Sequence, residues 1–224
     1  MKYYDYYFFN KSLKIFFIFF LLCLQGVNAQ DLTYYHNKEY KFRIRFPNGW
    51  EIKDGAGEHI VKKATKGASG IQIYVKDLLD DPNIINEVKN SKEFKSYSIN
   101  QIKDLLRKEF DARNISKEEL IEIINPSIEV MRYNFHNCKI IEKKISHISN
   151  VKAVYVKYSH TAKILDSEIN MIGFQYFTLR NGKTFSIGGS SKKEDFVNIN
   201  PILLKSISSF MFEDWDDYDL KDFE

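Results

Sequence analysis

His136-Asn137-Cys138 sets an imidazole and a thiol two residues apart, so on a strand both point to one face. That is the least a shared metal ion or a Cys–His nucleophile pair would need. Zinc or copper takes about three converging ligands with neutral imidazoles. The other histidines, His36, His59, His147 and His160, supply no second close pair. Cys138 as a nucleophile would need a base such as His160 and a third group to orient it. The spacing brings neither, and a lone cysteine among strand-forming residues reads as a small buried hydrophobe. His147 and His160 fall on neighbouring expected strands and read as hydrogen-bonded structural histidines. Ser69, in Gly67-Ala68-Ser69-Gly70, lacks the strand–nucleophile–helix setting of a hydrolase elbow. The same glycines cannot cradle phosphate, because a strand follows where a helix N-terminus would be required. Asp214, Asp216 and Asp219 alternate as calcium ligands do, yet without the Gly turn of a calcium loop. No catalytic residue, no cofactor and no metal is therefore expected.

Charge and cysteine usage bound the class. The formal charge of +3 hides an acidic end, residues 213–224, with seven carboxylate side chains against one lysine, so the body before it is basic. Such an end is expected to be solvated and mobile. Lys89, Lys92, Lys95, Lys103, Arg107, Lys108, Arg113 and Lys117 could face nucleic acid or anionic lipid. Glu87, Glu93, Asp104, Glu109 and Asp111 are interspersed among them, which makes an ordinary solvated face, and no nucleic-acid partner is expected. At the other end, Lys2, Lys11 and Lys14 precede an apolar run of residues 15–24 and a small-residue site at Ala29, the three parts of a secretory leader. The run is about half the twenty residues that cross a bilayer as a helix. Cleavage near Ala29 and an extracytoplasmic, periplasmic or secreted, location are expected. Leu22 stands where a lipoprotein signal ending at Cys23 would carry a small residue. With Cys23 removed, Cys138 has no partner for an intramolecular disulfide, so packing must hold the fold.

The elements that carry these residues are read from period and punctuation. Tyr40-Lys41-Phe42-Arg43-Ile44-Arg45-Phe46 alternates, with Phe42, Ile44 and Phe46 on one face. Pro47-Asn48-Gly49 makes a turn, and Trp50 and Ile52 are expected to resume in an antiparallel partner strand. Ile71-Gln72-Ile73-Tyr74-Val75 is a further strand. A short helix is expected within 80–91, with Pro82 in its first turn. Ser98 with Gln101 forms a capping box for a helix reaching about Ala112, and Ser116 with Glu119 a second one. That second helix should stop near Ile124, because Asn125 precedes Pro126. Strands are expected over 139–148, 151–161, 169–180 and 183–188. Asn181-Gly182 suits a type I′ turn that sets Thr178 opposite Phe185 and Tyr176 opposite Ile187. Asn200 should cap a last helix with Pro201 in its first position, and Leu203, Ile207 and Phe210 on one side.

The Tyr40-Lys41-Phe42-Arg43-Ile44-Arg45-Phe46-Pro47-Asn48-Gly49-Trp50 segment, the Gly182-Lys183-Thr184-Phe185 hairpin and the closing Leu204-Lys205-Ser206-Ile207-Ser208-Ser209-Phe210 helix resemble the PsbP-like, or Mog1/PsbP, superfamily over about residues 34–212. The resemblance implies an α+β fold: an antiparallel β-sheet flanked by helices on both faces, an α/β/α sandwich. It also implies a non-enzymatic role, since such proteins include extrinsic photosynthetic subunits, a Ran-binding factor and exported bacterial proteins of unassigned role. The long helical insertion, about 78–132, and the acidic end depart from that pattern. The expected organisation is a signal peptide over 1–29, one domain over 30–212 and an acidic tail over 213–224. The expected role is an exported binding or accessory module acting by protein–protein contact with an unknown protein partner. A carrier or sensor of an apolar ligand or membrane surface, through lipid contact, is the alternative, and an enzyme the third reading.

Overall fold

The computed structural model of the chain describes residues 32–56, 59–164 and 167–213. The expected leader, residues 1–29, and the acidic stretch beyond Glu213, with Asp214, Asp216 and Asp219, lie outside them. Two antiparallel sheets organise the described residues. β1 (Leu32–Asn37), β2 (Phe42–Pro47) and the two-residue β10 (Met211–Phe212) form a small one in the order β1-β2-β10. The large one comprises β3 (Glu51–Lys53), β4 (Ile60–Lys66), β5 (Ser69–Asp77), β6 (Lys139–Ile148), β7 (Val151–Ile164), β8 (Ser167–Arg180) and β9 (Lys183–Lys192). Its order is β3-β4-β5-β9-β8-β7-β6.

Register decides which side chains meet. Pairing places Ile71, Ile73, Val75, Phe174, Tyr176, Phe185 and Ile187 on one face of the large sheet. The small sheet and α4 (Phe196–Ile207) cover it. Phe42 meets Phe185 edge to face at 6.4 Å, and Phe185 meets Phe212 at 4.8 Å. Phe42, Ile44 and Phe46 are fully buried, as their alternation requires. Each such side chain stabilises the fold by about 1.5 to 3 kcal/mol. The opposite face, with Val154, Val156, Tyr158, Phe177 and Leu179, lies under α3 (Lys117–Asn134), which buries Leu120, Ile124, Ile128 and Met131. Phe135, just past that helix, stacks on Tyr158 at 5.4 Å. The fold is thus α+β, with antiparallel sheet and helices on both faces.

A smaller cluster hangs from the strand ends. A 3-10 turn at Leu78–Asp80, α1 (Pro82–Asn90) and α2 (Ile99–Glu109) enclose their own core of Leu79, Ile85, Ile102 and Leu106. Both expected capping boxes are present, Ser98 with Gln101 and Ser116 with Glu119.

Three local expectations are corrected. The strand after Pro47-Asn48-Gly49 does not pair with β2: Trp50 N–H donates to Pro47 O in the turn, and β3 joins β4 in the other sheet, with Ile52 opposite Ala64. Both sides of β2 are already taken, by β1 and β10. The helix expected to stop near Ile124 runs on through Pro126 to Asn134. Proline removes the bond to the Glu122 carbonyl, but Glu122 and Pro126 are both exposed, so water can serve that carbonyl while the buried stripe continues. The last helix starts at Phe196 rather than at an Asn200 cap, because burying Phe196 extends it by a turn, and Val197 and Pro201 share the exposed side. Among the described residues no helix is long and apolar enough to cross a membrane.

Candidate functional site

The β8–β9 turn is held from both sides. Asn181 and Gly182 have φ of 49° and 73°, as a type I′ turn demands. Gly182 N–H donates to Phe110 O at 3.0 Å, and its carbonyl accepts from Leu78 N–H at 3.0 Å. A Cβ on Gly182 would lie 2.9 Å from Leu79 Cδ1, so the close approach itself requires glycine. Register sets Arg180 opposite Lys183 at the two strand ends. Across from them, the β1–β2 turn brings Glu39, Tyr40 and Lys41, and Glu213 N–H donates to Lys41 O at 2.8 Å as the chain leaves β10. Between the two turns lies a cavity of about 130 Å³, floored by Phe185 and Phe212 and walled by Glu39, Tyr40, Lys41, Arg180, Asn181, Lys183 and Glu213.

Most of its charges are held from behind. Arg180 is 5% exposed; its Nη1 stands 3.3 Å from Asp111 Oδ2, an ion pair rather than an aligned hydrogen bond, and its guanidinium lies 5.8 Å from the Phe212 ring centre. Asp111, expected on a solvated face, is instead buried, because it accepts from Arg113 N and Nε, each at 3.0 Å, and from Asn181 N–H at 3.4 Å. Lys183 pairs with Asp77. Glu213 Oε2 meets His36 Nε2 at 2.5 Å. The Tyr40 hydroxyl is pushed up by burial, then by the charge of Glu39 and by a side-chain hydrogen bond with it. Lys41, exposed at the rim, makes no ion pair among the described residues. The outcome is a small amphipathic slot: an aromatic floor, three cationic side chains and two carboxylates. It has room for a side chain, whereas sites for drug-sized ligands run to about 300 Å³ and more.

Sequence reasoning singled out other residues. Cys138 and His160 do lie in one region, but with Phe135 and Tyr158 rather than with carboxylates. His160 stacks on Phe135 at 4.5 Å and stands 5.8 Å from Tyr158. Burial lowers its proton affinity, opposed by a backbone hydrogen bond at Thr161. Burial pushes the half-buried Cys138 thiol up, opposed by the charge of Arg132, which leaves it a protonated, poor nucleophile at neutral pH. The His136 carbonyl accepts from Thr161 N–H at 2.8 Å. His59 packs edge-on to Tyr74, and His147 sits opposite Lys152 in β6. Ser69 and Gly70 already belong to β5, two residues before the expected strand start at Ile71, because the turn is only Gly67-Ala68 and they pair with Lys66 and Thr65. Among the described residues no three His, Cys, Asp or Glu side chains gather as metal ligands would. The slot was missed. Half of its signal, Arg180-Asn181-Gly182-Lys183, is local and legible; Glu39, Tyr40, Lys41 and Glu213 join it only through the pairing of β2 with β1 and β10.

No family model and no curated protein matches the chain. It is similar to the solution structure of cyanobacterial PsbP (CyanoP) from Synechocystis sp. PCC 6803, at 13% identity and a TM-score of 0.44, over 84% of this chain and 95% of that one. It is similar to the Ran-binding protein Mog1p of Saccharomyces cerevisiae, at 7% identity and a TM-score of 0.45, over 84% and 98%. A third similar structure is LpqN of Mycobacterium tuberculosis, described as involved in cell envelope biogenesis, at 8% identity and a TM-score of 0.43, over 84% and 93%. These are similarities of chain course at low identity, and no residue role is carried over from them.

Proposed function

We propose that this chain is an exported, non-enzymatic binding module that meets a protein partner at the end of the molecule formed by the β8–β9 and β1–β2 turns. The observation that carries this reading is the slot itself: an aromatic floor ringed by charges, of which Arg180, Lys183 and Glu213 are held by Asp111, Asp77 and His36 from outside it. Preorganised polar groups around a small apolar floor suit an anchoring side chain of a partner, the arrangement that dominates binding energy at protein interfaces. A slot of this size does not suit an acyl chain. Export rests on the leader-like residues 1–29, and mass analysis of the protein recovered outside the cytoplasm should find an N-terminus at Gln30; an intact Met1 there would refute cleavage.

The contact face is tested by placing a photo-crosslinking residue at Lys38, exposed in the β1–β2 turn but outside the slot lining, and, as a control, at Lys193, which lies at the other end of β8 beside Asn170. A discrete stoichiometric adduct from position 38 only, lost when Lys183→Glu reverses a charge in the slot, is expected in the producing cell. Equal adducts from both positions, or none from position 38, would overturn the reading.

A further inference from the structure

We propose that the slot takes an apolar residue bearing a free carboxylate, as at the C-terminus of a polypeptide. This rests on the reading that the turn end is the contact face, and it names the chemistry the face recognises. Phe185 and Phe212 offer an apolar floor, and the volume of about 130 Å³ limits what covers it to a single side chain with its terminal group. Cations surround that floor from two separate hairpins: Arg180 and Lys183 from the ends of β8 and β9, and Lys41 from the β1–β2 turn. Asp111 and Asp77 stand on the first two and fix their orientation. An ammonium has three donors, so Lys183 keeps donors beside Asp77 to share with an incoming carboxylate, and the charge of Arg180 adds to the positive field over the floor. Lys41 has no carboxylate of its own among the described residues, and a ligand would supply one.

Glu39 and Glu213 complete the specificity. Lying in the same wall, they can accept peptide N–H groups of the residues before the terminus, and they repel a second negative charge. A monoanion with an apolar body fits this set, whereas phosphate or an acidic side chain next to the terminus does not. The same chemistry could come from a free apolar amino acid, and the two sources separate by experiment.

Isothermal titration of the purified full chain with N-acetyl-Gly-Gly-Phe as the free acid, with its C-terminal amide and with free phenylalanine tests the assignment. The acid is expected to bind about tenfold or more tightly than the amide, the scale of one charge-assisted contact. Lys41→Asn, which keeps the left-handed backbone at φ 49°, should weaken the acid several-fold without lowering Tm. Lys183→Met gives an independent second variant with the same expected loss. Free phenylalanine binding as tightly as the peptide acid would uphold the carboxylate chemistry and assign it to a free amino acid. Acid and amide binding equally, or neither binding at millimolar concentration, would overturn the inference. If in that case the adduct from position 38 still forms, the contact face stands and only its proposed ligand falls.

Discussion

Asp111 shows how a single buried charge can organise a site from outside it. Its carboxylate is almost fully buried, accepts from Arg113 and Asn181 and forms an ion pair with Arg180, so it ties the loop after α2 to the β8–β9 turn and orients the cation that walls the slot. Removing one partner of a buried pair leaves the other unpaired in low dielectric. Asp111→Ala should therefore cost about 3 kcal/mol or more in denaturant unfolding. The loss should be much smaller for Arg113→Ala, whose side chain is half exposed. His160 makes a second residue-scale case, now with pH. Burial beside Phe135 depresses its folded-state proton affinity, so the unfolded chain binds the proton more readily. Its neutral form favours the fold above the ordinary histidine value of about 6.5, and that advantage is lost as pH falls through the lower folded value. Stability measured from pH 8 to 5 should fall by less in His160→Phe than in the parent chain. An equal fall would show that other groups carry the dependence. Cys138, protonated at neutral pH, should alkylate more slowly than free glutathione in peptide-mapped labelling.

Elements were legible wherever their signals are local. The two Ser–Gln/Glu capping boxes and the Asn181-Gly182 turn need only neighbours within four residues, and each is found where its residues stand. Pro126 misled because its penalty is local while the compensation is tertiary. The α3 stripe of Leu120, Ile124, Ile128 and Met131 keeps packing on β7 and β8 across the proline, and the bond lost at the Glu122 carbonyl opens onto solvent. Pro126→Ala restores that bond and removes the ring, offset in part by a more flexible unfolded chain, so it should raise stability by about 1 to 2 kcal/mol in a denaturant melt. No gain would mean that the helix bends around the proline at little cost. Gly182→Ala acts in the opposite sense. A side chain at φ 73° is strained, and its Cβ would press on Leu79 and Arg107, so a loss of about 2 kcal/mol is expected.

At the scale of the molecule, alternation made the single strands readable and the fold class was implied by the resemblance of three segments, but the division into two sheets was not readable. Nothing local to Trp50 or Ile52 says that the chain leaves β2 for another layer; that follows from β10, a two-residue strand far along the sequence, filling the place beside β2. The slot was illegible for the same reason, since its two halves meet only because β2 lies between β1 and β10 while β9 faces them through Phe185. Within the helical insertion, the 3-10 turn, α1 and α2 behave otherwise, unlike α3, which packs in the main core. Their core of Leu79, Ile85, Ile102 and Leu106 is separate from it, and two backbone bonds grip Gly182 at the turn. A small cluster attached mainly through one turn should open without the sheets unfolding. Hydrogen exchange should then show amides of α1 and α2 exchanging at a free energy well below that of β7 and β8. Gly182→Ala should lower the α1 and α2 value most, because it loosens the grip point. Uniform protection across insertion and sheets would instead mean that the two cores unfold as one, and the slot walls Arg180 and Lys183 would then be as rigid as the sheet centre.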